Sequence, residues 1–281
     1  MPELPEVETT RRGLQPKVEG QVITDILIRN SRLRWPVDES LRQKLPGLAI
    51  LSIQRRAKYL LLQTQKGHLI IHLGMSGNLR VLPKGTPPLK HDHIDLILDN
   101  GYRVRYHDPR RFGCWLWTED PPEAHPLLTS LGPEPLSDDF NADYLWQTVQ
   151  GRKRPIKTLI MTNSVVVGVG NIYANESLFL SRIHPARPAA SLSQQEIETL
   201  VRHIKQVLEA AILQGGTTLK DFLSPSGQPG YFEQTLHVYG RAGQPCTQCA
   251  TPIEKVLLNQ RAAYFCPSCQ APPPQSAPKR P

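Results

Sequence analysis

The sequence predicts a multidomain α+β chain: an antiparallel β-sandwich opened by an N-terminal helix, a helical domain, and a C-terminal hairpin carrying four cysteines. Three observations lead there. Residues 1 to about 130 form short β-branched or alternating stretches broken by Gly, Pro or Asn-Gly, the pattern of strands joined by tight turns. After the Pro-rich stretch 120–140 the apolar period lengthens to that of a helix. Near the end, two Cys-x2-Cys pairs flank the sixteen residues 250–265.

Composition sets the outer limits. At 281 residues the chain is long enough for more than one core, and 39% hydrophobic with 21% charged residues is ordinary for a globular protein. No apolar run reaches the ~18–20 residues of a membrane span, and the charged N-terminus lacks the apolar core of an export signal, so a cytoplasmic location is expected. Thirty-three Lys and Arg against 25 Asp and Glu leave a formal charge of +8. That excess suits a nucleic-acid partner, whose phosphates release counterions on binding, and also suits an acidic membrane surface or simple solubility.

Taken in order, a helix is expected from Pro5 to Leu14, ending near Gln15-Pro16, because Pro5 and Glu6 suit a first helical turn. Strands follow in VITDILIRN, AILSIQRRAKYLLLQT, HLIIHLGM, HIDLILDNG and YRVRYHD. Cys114, set among aromatics in FGCWLW, reads as a buried small residue. The stretch 120–140 reads as a linker. GNIYANESLFLSRI reads as one helix. In LSQQEIETLVRHIKQVLEAAILQGG, residues Ile197, Leu200, Val201, Ile204, Val207, Leu208, Ala211 and Ile212 share one stripe of a second. Ser193 with Glu196 makes its capping box, and Gly215-Gly216 its stop. The tail from Ala271 is Pro-rich and expected to be disordered.

Cys246, Cys249, Cys266 and Cys269 have the spacing of a tetrahedral zinc site with four thiolate ligands. Two disulfides are the alternative, disfavoured because nothing points to secretion. MPELPEVET raises a chemical question. A small residue after Met1 permits removal of the methionine, which would leave Pro2 as a terminal secondary amine. An α-amine titrates near ~7.7–8.0, so part of it is unprotonated at neutral pH and able to act as a nucleophile, with the Glu3 carboxyl beside it. A plain helix start is the competing reading. In VVVGVGNIYANE, two glycines lead into a helix whose first N–H groups, with the Asn171 amide, could clamp phosphate in a helix-turn-helix-like unit. Arg152, Lys153, Arg154 and Lys157 lie just upstream, as phosphate contacts or as a solvated basic face.

Lys58 heads an apolar strand, as an edge residue or as a group for phosphate or proton transfer. Arg110, Arg111 and Phe112 occupy a Pro- and Gly-bounded loop, where a ring can wedge into a base stack while a guanidinium hydrogen-bonds. Met75, between glycines, is a second wedge or a core residue. Lys90 to His93 (KHDH) are too close in sequence to chelate one ion, so phosphate contact or plain surface is expected there. Arg261 lies within the cysteine hairpin and goes wherever its tip goes.

Together, MPELPEVET, RRAKYLLL, HLGMSG, DPRRFG, VVGVGNIYANE, QGGTTLKDF, PGYF and QRAAYFCPSC resemble the formamidopyrimidine-DNA glycosylase family of bacterial repair enzymes. The likeness covers nearly the whole chain, with only the tail after Gln270 outside it. It implies a glycosylase and AP lyase that removes oxidised purines such as 8-oxoguanine from double-stranded DNA. Pro2 is then the nucleophile at the sugar C1′ and Glu3 the acid/base at the sugar. Lys58 assists proton transfer near a phosphate, and Arg261 contacts phosphate in the second elimination. Met75, Arg110 and Phe112 fill the gap left by the flipped nucleotide, with Arg110 reading the orphaned cytosine. His91, Arg152 and Asn171 match phosphate-contacting positions, and Lys157 joins them in the basic run.

The resemblance further implies one structural zinc per chain, a monomer, a cleft between the domains, and a base-covering loop at 224–232. The domains are expected as a β-sandwich over 1–130, linker and domain start over 131–150, a helix-two-turn-helix domain over 151–225, the loop and its connection over 226–236, a zinc finger over 237–271 and a tail over 272–281. Two other readings stay in view: an endonuclease VIII-like enzyme for oxidised pyrimidines, and a zinc-ribbon DNA-binding protein without catalysis.

Overall fold

The computed structural model describes residues 2–215 and 236–272. The expected base-covering loop at 224–232 and the tail from residue 273 lie outside the described residues. The chain divides into two compact units. One runs to Ser130 and includes the end of the last helix from Ala210; the other comprises Leu131–Glu209 and the residues from Leu236 onward.

The first unit opens with α1 (Leu4–Val18). Its N-terminus is fixed by Glu6, whose carboxylate accepts the Glu3 backbone N–H at 2.8 Å, with Pro5 in the first turn where a missing donor costs nothing. The helix runs four residues beyond the expected end at Leu14 and carries Pro16 inside it. Pro16 removes one helical donor. Full burial of Leu14 and Val18 offsets that loss, and the Glu19 N–H closes the helix on the Gln15 carbonyl at 3.2 Å.

Eight strands build two antiparallel sheets. β1 (Ile23–Ile28), β6 (Asp92–Leu98), β7 (Tyr102–His107) and β5 (Asn78–Pro83) form one, in the spatial order β1-β6-β7-β5. β2 (Ile50–Arg56), β3 (Tyr59–Thr64), β4 (His68–His72) and β8 (Cys114–Thr118) form the other, in chain order. The stretch 49–64, expected as strand throughout, is in fact the β2–β3 hairpin. Arg56 pairs with Tyr59 and the chain reverses at Ala57-Lys58, with Ala57 at φ +54. Inward residues of both sheets, among them Ile26, Leu60, Leu62, Ile71, Leu96 and Trp115, meet in a single core with Val7 and Leu14 of α1.

The other face of the β1-β6-β7 sheet carries charge. Asp95 is fully buried and receives Arg29 at 2.7 Å, Arg103 at 2.6 Å and Arg105 through two bonds of 2.8 Å. Burial alone would raise its pKa, but the arginine hydrogen bonds outweigh that and hold the carboxyl far below its ordinary 3.8. Its stabilising share is therefore complete above pH 3.8 and lost as the pH falls below it. Asp95→Ala, which strands those guanidinium groups, is expected to lower the urea-unfolding free energy by about 3–5 kcal/mol at neutral pH. The gap to the native protein should narrow as acid protonates Asp95.

The second unit is helical. α2 (Leu41–Lys44) precedes it as a single turn in the sandwich unit. α3 (Ala142–Val149) is capped by Asn141, whose Oδ1 accepts the Tyr144 N–H at 2.9 Å. α4 (Ile156–Ile160) leads through turns closed by Thr162 N–H to Leu159 O and Val165 N–H to Thr162 O into α5 (Asn171–Leu180). α6 (Gln194–Leu213) has the expected capping box. Glu196 accepts the Ser193 N–H at 2.8 Å, and the Ser193 hydroxyl accepts the Glu196 N–H at 3.3 Å. Its apolar stripe is buried, and Gly215 at φ +80 follows its end. The hairpin β9 (Glu254–Leu258) and β10 (Arg261–Phe265) turns at Asn259 and Gln260, both at positive φ.

Candidate active site, nucleic-acid interface and metal centre

Pro2 and Glu3 are both buried at the head of α1, so the chain is anchored from Pro2 onward. Glu8, one turn further on, joins α1 to β2: Arg55 reaches it at 3.2 Å, beside Arg11 and Arg12 at 2.9 Å. Burial pushes the Glu8 carboxyl up, but the hydrogen bonds from Arg11 and Arg12 and the nearby cationic charges prevail and hold it below its usual range.

Lys58 sits in the β2–β3 turn, half-buried, rather than on a strand. Tyr59 next to it pairs with His72 across the sheet. Burial, with the charges of Lys58 and Arg34, lowers the His72 pKa to about 4, so its imidazole is neutral at physiological pH. A neutral ring can accept through Nδ1, and it takes the Gly74 N–H at 2.9 Å, at the start of the turn that carries Met75. Met75 is half-buried, neither a core residue nor fully solvated. Arg110 stacks over the Phe112 ring at 4.9 Å, and Phe112 is 46% exposed. A large ring left in solvent and backed by a guanidinium is the arrangement expected of a base-stack wedge.

His91 is half-buried with its backbone at φ +72, which sends its carbonyl to the Asp108 N–H at 3.1 Å. The other residues of KHDH divide. His93 turns inward and bonds the Asp108 carbonyl at 2.8 Å, and Asp92 is bound to Arg80 and His107. Cys114 is buried, and burial raises its thiol to about 11, so it is unreactive.

In the helical unit, Arg152, Lys153 and Arg154 are exposed as expected of a basic run, but Lys157 is not. It is 1% exposed, on the inner side of α4. Its ammonium donates to Asn171 Oδ1 at 2.6 Å and to the Ala262 carbonyl at 3.1 Å. Lys157 therefore does not share the exposure of the basic run upstream: it holds Asn171 and the strand beginning at Arg261. The helical frame explains the difference, because Lys157 follows Ile156 into the buried turn of α4 after Pro155 has ended the exposed loop. Asn171 is the first residue of α5, and Gly168 at φ +78 provides the tight approach to it. Arg261 is exposed at the hairpin tip.

Glu176 carries a role that the sequence reading missed. Its carboxylate accepts the N–H groups of His237, Val238 and Tyr239 at 2.8, 3.0 and 2.9 Å. Asn175 likewise accepts the Tyr264 N–H at 2.8 Å. A glutamate buried in the middle of an apolar helix was the available signal, since such a group needs donors.

The four cysteine sulfurs lie within 4.8 Å of one another. Cys249 is 3.4 Å from Cys266 and 3.5 Å from Cys269, and Cys246 is 4.0 Å from Cys269. A disulfide needs about 2.05 Å, so the pairing alternative fails. Zinc–sulfur bonds of about 2.3 Å place tetrahedral ligands roughly 3.8 Å apart, and the cluster fits that. The Gln248 and Cys269 N–H groups point at the Cys246 and Cys266 sulfurs at 3.4 Å, which favours thiolates. Thr251, hydrogen-bonded to Cys249, lowers that thiol to about 6, whereas burial raises the thiols of Cys266 and of Cys269, the latter to about 12. With four protein ligands the site is closed, and the metal's part is structural.

This combination of a sandwich with an anchored Pro-Glu head, a helix–turns–helix unit and a four-thiol hairpin defines the class. Family models match along the chain: the formamidopyrimidine-DNA glycosylase N-terminal domain over residues 1–115, its H2TH domain over 131–223, and the zinc finger found in FPG and IleRS over 243–272. The formamidopyrimidine-DNA glycosylase of Hydrogenovibrio crunogenus is 72% identical over 270 residues, 96% of each chain. That of Escherichia coli K12 is 58% identical, over 96% of this chain and 100% of the relative.

Among solved structures, the MutM (Fpg) protein of Thermus thermophilus shares 39% identity at TM-score 0.86, over 97% of this chain and 100% of that one. Lactococcus lactis Fpg in complex with DNA containing an abasic site shares 33% at TM-score 0.88, over 96% and 100%. The chain belongs to the formamidopyrimidine-DNA glycosylase family.

Proposed function

We propose that this protein excises oxidised purines, 8-oxoguanine and formamidopyrimidines, from double-stranded DNA and then nicks the strand, acting as a monomer in the bacterial cytoplasm on the nucleoid. The observation that carries the reading is the family relationship over nearly the whole chain, with 72% identity to the Hydrogenovibrio crunogenus enzyme over 96% of each chain. Among the described residues no helix is long and apolar enough to cross a membrane.

The chemistry follows from the groups present. A base inside a duplex hides its sugar C1′, so the nucleotide must be extruded. Met75, Arg110 and Phe112 enter the gap and offset part of the lost stacking. Asn171, Arg152 and His91 hold phosphates without reading sequence, as damage that can occur anywhere requires. The free amine of Pro2 attacks C1′, the base departs with its bonding pair and a proton, and Glu3 exchanges a proton at the sugar as its ring opens. The resulting iminium acidifies C2′. Loss of a C2′ proton expels the 3′ phosphate, and a second elimination, with Arg261 at the phosphate, expels the 5′ one. Lys58 assists proton transfer near the first phosphate. Zinc, held by Cys246, Cys249, Cys266 and Cys269, supplies no chemistry to these steps and keeps the hairpin folded.

Single-turnover excision from matched duplexes holding either 8-oxoguanine or thymine glycol tests the substrate class. Faster release of 8-oxoguanine is expected. Faster release of thymine glycol would transfer the protein to the endonuclease VIII-like reading.

A further inference from the structure

The turn Leu73–Gly77, which carries Met75, and the loop Asp108–Gly113, which carries Arg110 and Phe112, come from different strands but are built as one piece. Gly74, at φ +71, lies so close to the second loop that a Cβ there would meet Phe112 C and Gly113 N at 2.5 Å. A Cβ on Gly113 would meet the Tyr106 hydroxyl at 1.8 Å, and one on Gly77 would meet it at 2.9 Å. The two loops therefore pack backbone to backbone with that hydroxyl between them.

Asp108, fully buried, binds both sides. One carboxylate oxygen accepts from the Ser76 hydroxyl at 2.8 Å; the other accepts from the Tyr106 hydroxyl at 2.9 Å and the Gly113 N–H at 3.0 Å. The Ser76 hydroxyl in turn accepts the Arg110 N–H at 3.2 Å, so a single side chain of the Met75 turn holds the backbone of the arginine. Burial and the Asp108 charge push the Tyr106 phenol well above its ordinary value, which keeps its proton on and its role that of a donor. Such a network holds loops that would otherwise have to be ordered at the moment of binding.

We propose that Ser76, Tyr106 and Asp108 are positioning residues that lock Met75, Arg110 and Phe112 into one preformed element and so set discrimination between the bases opposite the lesion, leaving bond breaking at the sugar unaffected. The inference rests on the reading that those three side chains enter the duplex. Base readout by a guanidinium depends on direction as well as distance, so a loosened Arg110 keeps its charge but loses its preference.

The test uses the full-length protein, with Ser76→Ala and Tyr106→Phe made separately and Arg110→Ala as the reference. Excision of 8-oxoguanine opposite cytosine and opposite adenine is measured under single-turnover conditions, together with cleavage at a preformed abasic site and thermal unfolding. For Ser76→Ala and Tyr106→Phe, the cytosine-to-adenine ratio should fall about tenfold, the scale of one hydrogen bond lost from a buried charge, while abasic-site cleavage is unchanged. If Arg110→Ala collapses the ratio but both other variants preserve it, the positioning role is wrong and the wedge reading stands. If Arg110→Ala itself leaves the ratio intact, the wedge reading is wrong and the inference goes with it. A parallel fall of every activity with a lowered unfolding midpoint would mean a purely structural network and would also overturn the proposal.

Discussion

Glycine in place of Pro2 is expected to lower the yield of borohydride-trapped protein–DNA adduct on an 8-oxoguanine duplex on the order of tenfold or more, equivalent to ~1.4 kcal/mol of barrier. A secondary amine condenses directly to a cationic iminium, the species that borohydride reduces. A glycine terminus keeps a primary amine, so weakening rather than abolition is expected. Pro2, Glu3 and Leu4 are all buried, so the nitrogen has little freedom to wander. Glu3→Gln keeps the shape and removes the ionisable group, and should slow base release by about 10²–10⁴-fold, the usual scale of a lost general acid/base. An undiminished adduct from the Pro2→Gly protein would remove Pro2 from the chemistry.

The second large effect concerns the metal. The hairpin and its cysteine turns bury little of their own: Cys246, Ile253 and Cys266 cluster with Val238 and with Phe179 of α5, and Ala263 and Phe265 are buried as well. A piece this small seldom folds on apolar burial alone. Structural zinc contributes about 10–16 kcal/mol to isolated finger peptides, far more than that cluster can. Cys249→Ser or chelation should therefore unfold the hairpin and displace Arg261. DNA affinity should weaken roughly 100-fold or more, since each displaced charged contact costs ~1.5–3 kcal/mol. The sandwich, whose core is separate, should keep its own unfolding transition. Native affinity in the Cys249→Ser protein, read by fluorescence anisotropy, would contradict a structural zinc.

Much of this was legible in the sequence because the deciding forces are local. Ser193 and Glu196 announce a helix start whatever surrounds them, and the two Cys-x2-Cys pairs fix their own geometry. The β2–β3 turn was hidden because Ala57 adopts a positive φ without the Gly or Asn that normally marks one. α1 outran its proline because Leu14 and Val18 both reach the core, a tertiary gain that local preference does not register. The burial of Lys157 was hidden for the same reason: a cation in a basic run looks solvated until Asn171 and Ala262 are seen to receive it. At the candidate site, an exposed arginine–aromatic pair at Arg110 and Phe112 could be read from its loop, while the network of Ser76, Tyr106 and Asp108 could not. Their partners are up to thirty-four residues away, and no spacing rule joins them.

The most direct test of the account is peptide mapping by mass spectrometry of the borohydride-trapped complex after nuclease and protease digestion. The expected result is a sugar-derived mass on the N-terminal nitrogen of a peptide that begins at Pro2. A peptide that still begins with Met1 in fully active protein, or the mass on Lys58 or another lysine, would contradict it.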